Sequence, residues 1–287
     1  MTDSVVLSAA GENACIELLG AQLRSCTLSG REVVWPGSQE YWPSSAPLLF
    51  PVVGRLEGDR LLAGGREHAH PMHGLARHRT FVVESQMIDR VRLACDHTAD
   101  GSFPWDWRLE VEYALEDSSL LWTVRVVNPS RLPLPFQLGF HPGVATGGAP
   151  ANVSWERPCH PVVHGVVPGV GLLNGVEQTW GESTGFPWQD RPTAMVCSGL
   201  ESASVLLESG VAEVRVTYDP MPDLWVFWAP PGAPFLCPEG WYGRPDREGK
   251  TIEFADRPGT RILAGGESFT ATCRISLEVQ THGMDRI

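Results

Sequence analysis

The 287-residue chain has no run of about 20 apolar residues, the length a helix needs to cross a bilayer. Its opening Met-Thr-Asp-Ser-Val-Val-Leu-Ser-Ala-Ala lacks the basic region and apolar stretch of a secretion signal, so a cytoplasmic protein is expected. Positive charge is scarce: the formal net charge is −12, which argues against nucleic acid and against an anionic membrane as partners. There is no Cys-x-x-Cys. The seven cysteines (Cys15, Cys26, Cys95, Cys159, Cys197, Cys237 and Cys273) are scattered and odd in number, which reads as reduced thiols, several of them small core residues. Internal repeats, low-complexity tracts and a linker of shifted composition are also missing. The expectation is one β-sandwich domain over residues 1–287.

What the chain does have is punctuation. Its 24 prolines and 30 glycines are spread along the whole length, which excludes long helices and suits many short strands joined by turns. Residues 14–19 and 21–28 read as strands broken at Gly20. Arg108–Leu115 alternates, with Leu109, Val111, Tyr113 and Leu115 on one face and Glu110 and Glu112 on the other. A turn at 116–119 returns the chain through Leu120–Val127, an antiparallel hairpin with one wet face. Alternation resumes at 203–208, 211–218 and 224–228, and is cleanest in 269–279. Residues 143–192 are rich in Gly, Pro, His and Trp without a clear period, and are expected to be a covering loop region.

Four stretches carry chemistry. Residues 42–55, Trp-Pro-Ser-Ser-Ala-Pro-Leu-Leu-Phe-Pro-Val-Val-Gly-Arg, are too apolar for an exposed loop, so they should lie on the core and end at a site, with Arg55 at the polar end. Four of the nine histidines crowd into 68–78. His68 and His70 share a face if extended, but no Cys or carboxylate at ligand spacing accompanies them, so the expectation is no metal. His73-Gly74 attracts more interest, because Gly74 allows close approach and Arg77 follows.

In Leu134–Pro142, alternation sets Gln137, Gly139 and His141 opposite Phe136, Leu138 and Phe140. Beside the hollow expected at Gly139, His141 is either an acid–base group or a satisfied structural histidine. The fourth stretch, Phe235-Leu-Cys-Pro-Glu-Gly-Trp-Tyr-Gly-Arg-Pro-Asp246, delivers one carboxylate, Glu239, at the end of an apolar strand. Such a group is costly to bury unless paired or used. The adjacent Trp241 offers a flat surface for a sugar ring or a cap for the core.

Taken together, Ala46-Pro-Leu-Leu-Phe-Pro-Val-Val-Gly-Arg-Leu56, His73-Gly-Leu-Ala-Arg77, Gly139-Phe-His-Pro142 and Phe235–Asp246 resemble the aldose 1-epimerase (galactose mutarotase-like) family in its shorter bacterial branch. The likeness runs to Leu263–Phe269. It implies an all-β fold, a large antiparallel β-sandwich of the galactose mutarotase-like type, and a sugar site with neither metal nor cofactor, in a monomer or homodimer. By resemblance Glu239 is the general base, His141 the general acid and His73 the second site histidine. Arg55, Arg77, Asp190 and Trp241 line the sugar pocket. Departures stand at Pro238, Gly240 and His78.

The implied reaction is interconversion of the α and β anomers of a free hexose by ring opening and closure. A hexose-6-phosphate 1-epimerase and a non-catalytic sugar-binding protein on the same fold are the alternatives. A pyranose is expected to fit between the Glu239 carboxyl and the His141 imidazole. Any phosphate site is expected at the arginines around His73, notably Arg77 and Arg79.

Overall fold

The computed structural model describes residues 3–148, 150–188, 194–210 and 212–278. Two large sheets dominate. The nine-stranded one runs, in spatial order, Ser183–Trp188, Ala151–Cys159, Ser204–Glu208, Glu213–Asp219, Ser268–Glu278, Ser119–Val127, Trp107–Glu116, Arg90–His97 and Val82–Gln86. The second runs Leu173–Thr179, Val162–Val166, Ala194–Ser198, Leu224–Trp228, Phe235–Tyr242, Leu138–Phe140 and Leu48–Leu49, with Val144–Ala145 also paired to Phe235–Tyr242. Pairing is antiparallel throughout both sheets. A four-stranded sheet at the N-terminal end starts with Ser4–Ala9 and Glu12–Glu17.

The alternation read from the sequence explains how the sheets stack. In the hairpin, Leu109, Val111 and Tyr113 are buried while Glu110 faces Arg125, its cross-strand partner. The inward face meets one face of the second sheet through Trp122 against Phe140, with centroids 4.9 Å apart, and Tyr218 against Trp225 at 5.0 Å. Edge-on aromatic pairs of this kind add to area burial by about 0.5–1.5 kcal/mol. The buried phenols are anchored: Tyr113 donates to Ala21 O at 2.7 Å and Tyr218 to Pro238 O at 2.7 Å.

Strand Phe235–Tyr242 separates core from site. Leu236 and Tyr242 point into the main core, whereas Trp241 belongs to a second apolar cluster with Leu49, Val53, Val196, Leu224 and Val226. By alternation Glu239 shares the Trp241 side.

Three expectations need correcting. Residues 143–192 are not a covering loop: they hold strands Val144–Ala145, Ala151–Cys159, Val162–Val166, Leu173–Thr179 and Ser183–Trp188. Their period is hidden because Leu173–Thr179 is exposed beyond its first residue and the register shifts between Ser154 and Cys159. The segment 134–142 is two strands in different sheets, Leu134–Phe136 and Leu138–Phe140. Gln137 makes the break: its Oε1 accepts from Val53 N and its Nε2 donates to Arg244 O and Thr260 Oγ1. Gly139 makes no hollow either. A Cβ there would lie 3.0 Å from Val53 and 3.1 Å from both Leu49 and Trp241, so the glycine admits packing.

Candidate active site

Glu239 and His141, 98 residues apart in sequence, meet on the face of the second sheet that points away from the main core. Register explains the approach: Gly139 pairs with Trp241 and Phe140 with Gly240, so His141, one residue on, falls beside Glu239. His141 Nε2 lies 3.3 Å from Glu239 Oε1. The other carboxyl oxygen, Oε2, accepts from Trp241 Nε1 at 2.9 Å. Only 1% of Glu239 and 6% of His141 is solvent-exposed.

A pyranose therefore does not fit between the two groups, as the sequence reading expected, because they already touch. Trp241 also differs from expectation. It is 5% exposed and its N–H is spent on Glu239, so it orients the carboxyl instead of presenting an open stacking face.

Burial shapes the protonation of the pair. It pushes the Glu239 carboxyl well above the usual carboxylate range, opposed by the Trp241 N–H. Burial, with the fields of His73 and Arg77 added, pulls the His141 imidazole well below its usual value. Both shifts favour the uncharged pair, with Glu239 protonated and His141 neutral. His141 Nδ1 has no hydrogen-bond partner among the described residues, so beyond the Nε2 contact the ring is held by packing. Trp42 stacks on it at 4.8 Å and Trp228 meets it edge-on at 5.5 Å.

His73 completes the cluster, its ring 5.7 Å from that of His141 and 5.8 Å from that of Trp241. Its backbone is left-handed, φ 67°, and Gly74 follows at φ 76°. A Cβ on Gly74 would lie 2.3 Å from Phe50 O, so only glycine lets this turn close onto segment 42–55. His73 Nδ1 accepts from Gly54 N at 3.1 Å, which leaves the proton on Nε2. Burial, then the charges of Arg77 and Arg55, pull its pKa down to about 3. His73 is thus a neutral hydrogen-bond donor.

The remaining expected residues divide. Arg77 is half-buried, donates to Ser44 Oγ at 3.4 Å and has no ion pair among the described residues, so its charge acts on the two histidines. Arg55 points its guanidinium at Asp59, 3.3 Å away. Asp190 lies outside the described residues. Arg79 is engaged elsewhere, with His97 at 3.3 Å and Asp100 at 3.9 Å. His68 and His70 bind the carbonyls of Gly101 and Ser102. Among the described residues no group of three or more His, Cys, Asp or Glu gathers as a metal ion would require, and all seven cysteines are free.

The sequence reading passed over Trp42 and Trp228 as site residues. Trp42 was visible as the aromatic opening the proline-punctuated segment. Trp228 had a subtler signal, as it alternates with Leu224 and Val226 on the strand paired with that of Glu239. The departures at Pro238 and Gly240 turn out to be linked. The Tyr218 ring occupies the place of a Cβ on Gly240, 2.6 Å from it, while its hydroxyl binds Pro238 O. One tyrosine thus clamps the backbone on both sides of Glu239.

A two-sheet antiparallel sandwich with a buried carboxyl–imidazole pair on one sheet defines a galactose mutarotase-like protein. The chain belongs to the aldose 1-epimerase family, which it matches over residues 3–154. Protein LacX of Lactococcus lactis subsp. lactis, in its plasmid form, is 26% identical over 279 residues, spanning 85% of this chain and 90% of LacX. A galactose mutarotase-like protein from Lactobacillus casei superposes with a TM-score of 0.88 at 25% identity, covering 96% of this chain and all (100%) of that one. A galactose mutarotase related enzyme from Lactobacillus acidophilus gives the same TM-score, 0.88, at 20% identity over 99% of this chain and 100% of its own. Among the described residues no helix is long and apolar enough to cross a membrane.

Proposed function

We propose that the protein is an aldose 1-epimerase acting on an aldohexose, with Glu239 and His141 as its acid–base pair. The observation that carries this reading is the 3.3 Å contact between two buried side chains, an imidazole and a carboxyl. Mutarotation moves one proton off the anomeric hydroxyl and one onto the ring oxygen. Both oxygens are bonded to C1, so an acid and a base in mutual contact can serve them side by side.

The pair needs one proton between its two members. With the proton on His141, Glu239 takes the hydroxyl proton and His141 gives one to the ring oxygen. The ring C1–O bond breaks, the C1–C2 bond turns, and closure from the other face reverses both transfers. With the proton resting on Glu239, the same exchange runs with the roles swapped. Each group contributes roughly 10²–10⁴-fold. His73 donates from Nε2 to a sugar oxygen, Arg77 keeps both histidines from charging early, and Trp241 holds the carboxyl in place.

The test is polarimetry of freshly dissolved α-glucose and α-galactose. Equilibration faster than in buffer, at rates proportional to protein, supports the reading. Sugar binding without acceleration of any aldose would leave a binding protein on the same fold.

A further inference from the structure

A cleft separate from the pair opens on the sheet face that carries Glu239. Val226 pairs with Glu239, Val196 with Val226 and His164 with Val196, so all four side chains project to one side. Three strand spacings put the His164 rung about 14 Å from Glu239. The cleft lies at that far rung and has a volume of about 240 Å³. His164 and Glu177 stand in its wall, and neither Glu239 nor His141 lines it. Its opposite wall is the segment 244–258. That segment is tied to strand Leu173–Thr179 by Leu173 N donating to Asp246 O at 2.9 Å and Glu248 N to Leu173 O at 2.9 Å.

The cleft is cationic in a chain of net charge −12. Arg244, Arg247, Lys250 and Arg257 share it with Asp246 and Glu177, so two positive charges are left over. His164 adds none, because burial holds its imidazole below the usual value against the pull of Glu177. Both carboxylates are engaged, Asp246 with Arg257 Nε at 2.8 Å and Glu177 with His164 Nδ1 at 3.2 Å. Arg244, Arg247 and Lys250 have no ion-pair partner among the described residues.

These cations stand at two depths. Arg257 is 5% exposed. Its Nε is spent on Asp246 and its Nη2 on Arg244 O at 3.3 Å, while Nη1 is a buried donor without an acceptor among the described residues. Arg244, whose carbonyl takes the Nη2 bond, is half-buried. Arg247 and Lys250 are exposed at the rim. The Arg247 guanidinium lies against Gly175, where a Cβ would be 2.1 Å from Cζ, so glycine at 175 gives this arginine its seat. Leu173 and Ile252 add apolar wall.

We propose that the cleft binds a small dicarboxylate, with one carboxylate at Arg257 and Arg244 and the other at Arg247 and Lys250, as a ligand distinct from the sugar. Two charges left over call for a dianion. Cations at two depths call for one whose charges stand apart. Arg244 and Arg247 each offer a guanidinium fork free of ion pairs, and a carboxylate accepts paired hydrogen bonds from such a fork. A short carbon chain between the carboxylates covers Leu173 and Ile252. A tetrahedral dianion concentrates its charge at one pole and leaves the other unmatched, and a monocarboxylate does the same. The inner carboxylate also gives Arg257 Nη1 the acceptor it lacks, and a buried charged donor without one is costly. The site does not depend on the epimerase reading.

The test is calorimetry on the full chain at low ionic strength, paired with thermal unfolding midpoints. The probes are malonate, succinate and glutarate, with acetate, inorganic phosphate and sulfate for comparison. At least one dicarboxylate is expected to bind at a single site, at least tenfold tighter than acetate, phosphate or sulfate. It should raise the unfolding midpoint, and high salt should weaken it. Arg247→Ala and Lys250→Ala combined, two exposed positions whose truncation spares the core, should weaken it at least tenfold. Arg247→Lys keeps the charge without the fork and should weaken it less than the double variant does. Arg157→Ala, which removes an exposed cation from the nine-stranded sheet, should leave binding unchanged. Dicarboxylates that bind no tighter than acetate overturn the proposal, as do phosphate or sulfate binding equally well. So does a loss in Arg157→Ala equal to that in the double variant, since it would trace binding to net charge alone.

Discussion

His141 Nε2 stands 3.3 Å from Glu239 Oε1, and neither group has another charged partner within ion-pair distance among the described residues. In the proposed reaction a histidine that must donate a proton calls for a carboxylate to support its charged form, and the carboxylate in place is Glu239, the proposed base. On that reading, removing either member disables both roles.

Glu239→Gln keeps the shape and the acceptor for the Trp241 N–H but cannot exchange the proton. The rate of anomer interconversion is expected to fall by about 10²-fold or more. His141→Asn is expected to match it, and the double variant to be little worse than either single one, because the pair acts as a unit. Polarimetry or exchange NMR on the three proteins decides this. Losses that multiply in the double variant would show two independent groups.

Much of this was legible in the residues, for local reasons. Period-two alternation in 108–127 and 269–278 reflects sheets with one wet face, and it survives in the sequence as charge against apolar side chain. Glu239 and His141 stood out because each is a titratable group following an apolar run, although the strand the sequence expected to end at Glu239 continues to Tyr242. Their direct contact was not legible, since it depends on the register between strands 98 residues apart, set by Gly139 opposite Trp241. The strands in 151–188 were missed because their exposed edge and shifted register erase the alternation. Nor does any local pattern join Arg244, Arg247 and Lys250 to Gly175, which is brought to them by the bonds of Leu173 to Asp246 and Glu248.

Trp241→Phe isolates the indole N–H. The ring stays, but Glu239 loses the one hydrogen bond that opposes its upward shift, so the carboxyl becomes a still weaker acid. If the ionised form starts the reaction, the acidic limb of the pH–rate profile moves to higher pH, and kcat at neutral pH drops about tenfold with KM nearly constant. A profile that falls uniformly without moving would mean the indole acts by packing alone.

His70 gives a pH dependence of stability separate from the site. Burial lowers its pKa to about 4 from 6.5, and its Nε2 is buried without a partner among the described residues. The unfolded chain therefore binds this proton more readily. The stability that goes with the neutral ring is complete above about pH 6.5 and is lost as pH falls through about 4. The loss is on the order of 3 kcal/mol. Thermal midpoints of the wild type and of His70→Gln, taken between pH 7 and pH 4, should converge as pH falls. Parallel curves would remove His70 from the account of acid sensitivity.

Gly74→Ala tests whether the turn that carries His73 depends on close approach. The new Cβ would lie 2.3 Å from Phe50 O, at a backbone φ of 76° that disfavours any side chain. Phe50 O also accepts from Leu75 N at 2.7 Å and Ala76 N at 3.0 Å, so moving it breaks two hydrogen bonds. The expected cost is at least about 2 kcal/mol, seen as a lower unfolding midpoint in denaturant. Activity should fall beyond the loss of folded protein, since His73 moves with the turn. Gly101→Ala is the control, because a Cβ there meets nothing within 4 Å, and it should stay within about 0.5 kcal/mol of the wild type. If Gly74→Ala matched the Gly101 control in both stability and activity, the contact between the His73 turn and segment 42–55 would not be what positions this histidine.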